Sequence, residues 1–155
     1  MKSPALPVLL VLTYLSGCAG TGQGPAKDIN IPADVTVVAP AEAIPKDLAA
    51  FSGKWAGAWY GAATSTYMAD QVIVVERISS PTSARVAYAG IGRWGNINGQ
   101  PWFYRLDATF VSNALQFTLP SGVAVTCRLN RDGTLDATGT SGGGTWHGTF
   151  TRSAN

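Results

Sequence analysis

The chain has 155 residues, a length that suits one domain of ordinary size. Hydrophobic residues make up 46% and charged residues only 13%, which is typical of a globular protein and excludes an intrinsically disordered one. The formal net charge is +2 and no segment concentrates Lys and Arg, so nucleic acid is excluded as an expected partner.

The first 17 residues are typical of a bacterial export signal. Lys2 provides a short positive start, and residues 5–15 form an apolar run that is too short to cross a membrane as a helix. We therefore expect residues 1–17 to be a signal peptide that the mature protein lacks.

The end of this signal, Leu15-Ser16-Gly17-Cys18, resembles the lipobox of bacterial lipoproteins. The resemblance implies cleavage before Cys18, acylation of its thiol and its new amine, and attachment to the membrane through this N-terminal lipid. Ala19 follows, and not the Asp that would indicate retention in the inner membrane. By the same resemblance we expect an outer-membrane lipoprotein of the cell envelope that faces the periplasm or the cell surface.

The segment from Cys18 to residue 50 is rich in Gly, Pro and Ala and has no apolar periodicity. This composition predicts a flexible, partly extended tether between the lipid anchor and the folded domain. Two local alternatives remain open within it. Residues 35–38 have the composition of an edge strand, and residues 41–51 that of a short helical turn.

Residues 51–155 alternate between apolar and polar side chains and carry turn signals at regular spacing, which predicts an all-β domain. Eight sequential strands joined by hairpins favour a small antiparallel up-and-down barrel, a fold without free edges. The expected strands are roughly 53–60, 69–78, 84–94, 101–110, 114–119, 123–130, 134–140 and 145–152. Because the first and last strands share a Trp-x-Gly-x-aromatic pattern, we expect them to pair and close the barrel.

Three turns predict the strand register. Asn130 to Gly133 is typical of a three-residue hairpin with Gly in the left-handed region, and this register places Leu129 opposite Leu135 and Arg128 opposite Asp136. Residues 119–122 predict that Phe117 pairs with Val125 and Leu115 with Cys127. Residues 96–99 predict that Trp94 pairs with Trp102 and Gly90 with Leu106.

The same alternation predicts which side chains face the barrel interior. On the second strand we expect Val72 and Val74 to point inward, with Glu76 on the same face at the rim. The other expected inward positions are mostly large and apolar: Trp55, Trp59, Val86, Tyr88, Trp102, Tyr104, Leu106, Phe110, Leu115, Phe117, Val123, Val125, Cys127, Leu135, Trp146 and Phe150.

The segment Phe51-Ser52-Gly53-Lys54-Trp55 resembles the start of the calycin barrels, which include lipocalins, fatty-acid-binding proteins and avidins. The resemblance implies that Trp55 plugs one end of the barrel and that Arg152 on the last strand lies over it. It extends to no residue with which those families hold a ligand, so it bears on the fold more than on the function.

An eight-stranded barrel is either filled by side chains or holds one small ligand. In the first case the inward glycines make room for Trp and Tyr rings. In the second they leave an apolar pocket lined by Trp59, with Tyr88 and Tyr104 as its hydroxyl donors. Trp94 and Trp102 add a third alternative at the rim, where they either stack on sugar rings of an envelope glycan or form a cross-strand pair that locks the hairpin.

No catalytic or metal-binding signature is present in the sequence. His147 is the single His and is expected to point outward, whereas Cys127 is expected to point inward, so the two are badly placed for a nucleophilic pair. Neither Cys nor His recurs at metal-ligand spacing. We therefore expect a non-enzymatic protein without a metal or other cofactor.

Two functions fit these observations. The first is a lipid-anchored envelope protein whose barrel binds a small apolar or amphipathic ligand or an envelope glycan. The second is a structural or assembly lipoprotein that docks an envelope protein through its outer surface. That surface is predicted to be rich in Thr on the last three strands, at Thr126, Thr134, Thr138, Thr140, Thr145, Thr149 and Thr151.

Overall fold

A computed structural model describes residues 29–92 and 99–154. A one-turn helix α1 (Lys46–Ala49) precedes eight strands: β1 (Gly53–Gly61), β2 (Tyr67–Ser80), β3 (Ser83–Gly92), β4 (Trp102–Val111), β5 (Ala114–Thr118), β6 (Ala124–Leu129), β7 (Leu135–Ser141) and β8 (Gly144–Arg152). Each strand pairs antiparallel with the next, and β8 pairs with β1, so the sheet is a closed barrel. The predicted all-β, eight-stranded barrel is thereby confirmed. In the described ranges no helix is long and apolar enough to cross a membrane.

Two of the three predicted turns give the observed register. Arg128 lies opposite Asp136 and Leu129 opposite Leu135. Leu115 pairs with Cys127 and Phe117 with Val125. Gly122 and Gly133 adopt φ of 83° and 84°, in the left-handed region where a residue without Cβ is favoured, so the turn chemistry alone determined these pairings.

The register predicted between β3 and β4 is wrong. Gly90 lies opposite Trp102, and Val86 opposite Leu106, so each β3 residue faces a partner four positions earlier than expected. The Trp102 ring occupies the space over Gly90, where an added Cβ would come within 2.3 Å of its Cζ2 atom. The shift is even, so the inward side chains of β4 remain inward. Trp94 lies outside the described residues.

The assignment of β2 faces is also wrong, because its inward side chains include Ile73 and Val75, which belong to the barrel core. Val72 and Val74 point outward. Their outer face is covered by the chain before the barrel, so residues 71–76 of β2 are buried on both sides and the apolar residues 72–75 follow one another without alternation.

The N-terminal strap, which we define as residues 29–38, provides this cover. Ile29, Ile31, Val35 and Val37 pack against an outer patch formed by Ala56, Val72, Val74, Ala87 and Phe103. The backbone N–H of Val38 donates to the carbonyl oxygen of Glu76 at 2.7 Å. The described part of the predicted tether therefore lies against the barrel and forms no strand there.

Helix α1 and the residues after it close one end of the barrel, here called the plugged end. Leu48 and Phe51 are buried there, and the Trp55 indole N–H donates to the carbonyl of Phe51 at 2.9 Å. The Arg152 guanidinium lies 4.3 Å from the Trp55 ring centroid and donates to the carbonyl of Ser52 at 2.8 Å. A cation over an indole face, tied to backbone carbonyls, holds β8 against the start of β1.

Candidate functional site

The opposite end of the barrel is built differently. Strand β5 is short, and β4 pairs with it only over Thr109–Val111 among the described residues. The first half of β4 thus extends past the β5–β6 hairpin, and its inward side chains stay partly exposed. We call this region the aromatic end, and its partly buried side chains are Trp102, Tyr104, Leu106 and Trp146.

A cluster of rings forms the wall of the aromatic end. The Trp102 and Tyr104 ring centroids are 5.5 Å apart at an interplanar angle of 31°. Below them, Tyr88 lies 4.9 Å from Trp102 and 5.5 Å from Phe117. Centroid distances in this range are those of favourable aromatic pairs. The cluster therefore presents flat apolar faces from the core outward to the partly exposed Tyr104.

A buried polar group lies beneath these rings. The Tyr88 hydroxyl donates to Oε1 of Gln71, and both side chains are fully buried. Gln71 pairs with Gly57 on one side and with Gly90 on the other, so neither directly opposite residue has a side chain. A polar residue on the inner face of a barrel strand needs partners for all its donors, and Tyr88 satisfies only the carbonyl oxygen.

Two donors near the Tyr88–Gln71 pair have no hydrogen-bond partner in the described part of the chain. They are Nε2 of Gln71 and Nε1 of Trp102, and both atoms are buried. An unsatisfied buried donor costs roughly 1–3 kcal/mol. A bound acceptor would remove this cost, so the arrangement favours a ligand with a carbonyl, ether or similar oxygen.

The electrostatics of the interior keep its titratable groups neutral. Burial raises the pKa of Tyr88 well above its ordinary value, the neighbouring Cys127 adds to the shift, and an interaction with Trp59 opposes it. Burial likewise raises the pKa of the Cys127 thiol to about 12. The interior therefore offers neutral hydrogen-bond donors and apolar rings, a combination that suits an uncharged ligand.

Below the aromatic end the barrel is packed. An added Cβ at Gly57 or Gly148 would lie within about 3 Å of the Phe150 ring, so the glycines make room for that ring. Phe150 in turn packs edge-to-face on Trp59, with centroids 6.0 Å apart. Of the two alternatives for the interior, side-chain filling holds in this half.

The structure brings together only some of the predicted binding residues. Tyr88, Tyr104 and Trp102 belong to one cluster, and the fully buried Trp59 interacts with Tyr88, whereas Trp94 lies outside the described residues. The sequence reasoning missed Gln71. Gln71 alternates with Ile73 and Val75 just before the apolar run of residues 72–75, which was the available signal, and the wrong face assignment for β2 predicted that its side chain points outward.

The other residues considered for catalysis or metal binding lie away from this site. His147 is exposed on the outer surface, where its ring stacks on Tyr60 at 6.4 Å, and Cys127 is buried inside. Residues 29–92 and 99–154 contain no group of three His, Cys, Asp or Glu side chains that could hold a metal ion. The outer threonines form cross-strand pairs, Thr126 with Thr138 and Thr140 with Thr145, and their use as a docking surface stays a prediction.

Comparison with known proteins supports the fold. No protein family matches the sequence, and no curated protein is similar to it. The match to a redesigned β-barrel spans 73% of this chain and 100% of that protein, with 18% sequence identity and a TM-score of 0.54. The match to a de novo designed fluorescence-activating β-barrel spans 71% of this chain and 100% of that protein, with 16% sequence identity and a TM-score of 0.53. At these identities the similarity concerns the barrel alone.

Proposed function

We propose that this protein is a lipid-anchored envelope lipoprotein that binds a small apolar or amphipathic ligand at the aromatic end of its barrel, without catalysis. The single observation that carries the binding site is the pair of buried, unpaired donors, Gln71 Nε2 and Trp102 Nε1, beneath the partly exposed ring of Tyr104. Apolar walls with a few convergent polar groups are the usual composition of small-molecule sites.

The same geometry limits the chemical class of the ligand. Flat rings favour a planar or ring-containing molecule, and the two donors favour one with an acceptor oxygen. Among residues 29–92 and 99–154, no charged side chain contributes to the ring cluster or its buried polar group, so an uncharged molecule avoids the cost of an unpaired buried charge. An envelope glycan fits less well, since it would bring many hydroxyl groups to a site with few polar partners.

A solvatochromic probe tests the site directly. Prodan is a neutral naphthalene with one ketone oxygen, and we expect its emission to rise and shift to the blue in a saturable way when it binds the protein. Tyr104→Ala removes a wall of the site and should weaken binding about tenfold, the usual effect of losing one well-packed ring. Tyr67→Ala is the matched control, because Tyr67 is an exposed aromatic that pairs with Tyr60 on the outside.

Two results would argue against the site. The first is the absence of saturable probe binding by the wild-type protein. The second is equal loss of binding in Tyr104→Ala and Tyr67→Ala, which would place the probe on the outer surface.

The lipid anchor is tested separately, because Cys18 lies outside the described residues. The proposal rests on the similarity of residues 15–18 to a lipobox. We expect the wild-type chain to take up labelled palmitate and to sediment with envelope membranes. Cys18→Ser should abolish both, and Cys127→Ser should change neither, since Cys127 is buried in the barrel. Labelling of the Cys18→Ser chain would contradict the anchor.

A further inference from the structure

A second concave site lies on the outside of the barrel, away from the aromatic end. This outer groove runs between the N-terminal strap and strands β2 to β4 near the plugged end, with a volume of about 450 Å³. Thr36 and Val38 of the strap line one side of it. Three arginines and two carboxylates line the other, namely Arg77, Arg85, Arg105, Glu76 and Asp107. The groove therefore combines both signs of charge, unlike the neutral interior.

A β-bulge in β2 produces this arrangement. Val75 pairs with Val86 and Arg77 with Arg85, so β2 has one more residue than β3 between these pairs. Val75 and Ile78 both belong to the core, and the two residues between them therefore face outward. Consecutive side chains on one face are a property of bulges, which are frequent next to binding and active sites. Without the extra residue, Glu76 and Arg77 would point to opposite faces.

Glu76 is the buried anion of the groove. Only 9% of the residue is exposed, and its Oε1 atom lies 3.4 Å from Nε of Arg105. Arg105 is shared, because its guanidinium also donates to Asp34 of the strap at 2.8 Å. The second carboxylate oxygen of Glu76, Oε2, is buried and has no hydrogen-bond partner among the described residues. A buried carboxylate oxygen normally accepts a hydrogen bond, so this atom lacks a donor.

Two arginines of the groove, Arg77 and Arg85, have a weak ion pair or none among the side chains that the structure describes. Arg77 lies directly opposite Arg85 on the neighbouring strand, and like charges in directly opposite positions repel. Arg85 has a weak partner in Asp107, at 3.3 Å between two exposed side chains. Arg77 takes part in no ion pair within the described residues. An anion between the two guanidinium groups would replace this repulsion by two charge-assisted contacts.

We propose that the outer groove binds a zwitterion with a primary ammonium group and a phosphate, of the phosphoethanolamine type. The ammonium donates to Oε2 of Glu76, and the phosphate lies between the guanidinium groups of Arg77 and Arg85. Such a group occurs both as a free metabolite and as the head of a phospholipid. The site is separate from the aromatic end, so the proposal does not depend on ligand binding inside the barrel.

The ligand needs both charges, a cation for Glu76 and an anion for Arg77 and Arg85. A simple cation would satisfy Glu76 but add to the positive charge of Arg77 and Arg85, and a simple anion would leave Oε2 of Glu76 without a donor. A quaternary ammonium cannot donate a hydrogen bond. The groove should therefore distinguish phosphoethanolamine from phosphocholine, two molecules that carry the same charges and differ in N–H groups.

Isothermal titration of the full-length protein in neutral detergent tests this with soluble O-phosphoethanolamine and phosphocholine. We expect saturable binding of the first and about tenfold weaker binding of the second, as for loss of one hydrogen bond to a buried charge. Glu76→Leu should bring the two affinities together, because it removes the carboxylate oxygens that accept a hydrogen bond from the primary ammonium. Arg77→Gln should weaken both ligands equally.

The control variant is Arg131→Gln, which makes the same change of charge on the exposed β6–β7 turn and should leave both affinities unchanged. No saturable binding of O-phosphoethanolamine, equal affinity for the two ligands, or equal effects of Arg77→Gln and Arg131→Gln would each overturn the proposal.

Sedimentation with vesicles then distinguishes a phospholipid head from a free metabolite as the natural ligand. If the Cys18→Ser chain sediments with phosphatidylethanolamine vesicles and not with phosphatidylcholine vesicles, the ligand is a lipid head, and if it sediments with neither, the ligand is the free molecule.

Discussion

At the scale of single residues, burial determines the chemistry of Cys127. The thiol is fully buried on β6, and burial raises its pKa to about 12, so roughly one thiol in ten thousand is ionised at pH 8. We predict that iodoacetamide at pH 8 leaves Cys127 unmodified in the native protein and alkylates it completely in denaturant, as measured by intact mass. Fast alkylation of the native chain would contradict the buried position.

The same shift makes stability depend on alkaline pH. The folded protein keeps the Cys127 proton up to a pKa of about 12, whereas the unfolded chain loses it near the ordinary value of 9.0. The contribution to stability is therefore complete below about pH 9 and is lost progressively as the pH rises toward 12. Cys127→Ala should remove this part of the alkaline loss, as measured by urea unfolding at several pH values.

Gly90 tests the packing of the aromatic end. An added Cβ would lie 2.3 Å from Cζ2 of Trp102, so the indole must move. We predict that Gly90→Ala lowers the free energy of unfolding by about 1–3 kcal/mol, as overpacking does, and changes the near-ultraviolet circular dichroism of the tryptophans. Gly142→Ala is the control, because nothing lies within 4 Å of its added Cβ. Equal stability of the two variants would mean that Trp102 does not lie over Gly90.

At the scale of elements, the N-terminal strap is part of the folded unit. Val35 and Val37 pack on the outer patch, whereas Val38, the last residue of the strap, is 41% exposed. We predict that the double substitution Val35→Ser and Val37→Ser lowers the free energy of unfolding by about 1–3 kcal/mol, in line with the partial burial of two valines. Val38→Ser keeps its backbone hydrogen bond and should be nearly neutral in the same urea titration.

The elements also show how far local sequence determines this fold. The turns at Gly122 and Gly133 fix their hairpins through the conformation of a few residues, so the pairings on both sides were predictable. The faces of β2 depend on the strap, which is distant in sequence, and on the bulge at Glu76. No local pattern indicates either, because an apolar run such as residues 72–75 is equally compatible with both assignments.

At the scale of the whole molecule, the two ends of the barrel are built differently. The plugged end is held by Trp55 and Arg152, and the Gly-x-Trp start of β1 with a basic residue on β8 made that arrangement predictable. The aromatic end was only partly predictable. Tyr88, Tyr104 and Trp102 were expected at the interior, but Gln71 and the fit of Trp102 over Gly90 depend on pairings among β1 to β4 that form only in the closed barrel.

Native mass spectrometry tests the central claim, that the aromatic end holds a small ligand. The Cys18→Ser chain would be purified gently from a detergent-free cell extract and analysed with and without added prodan. We predict an extra small-molecule mass that is lost on denaturation, is displaced by prodan, and is absent from Tyr104→Ala but retained by Tyr67→Ala. A bare protein mass in both conditions would contradict the claim and mean that the rings of the aromatic end are core packing only.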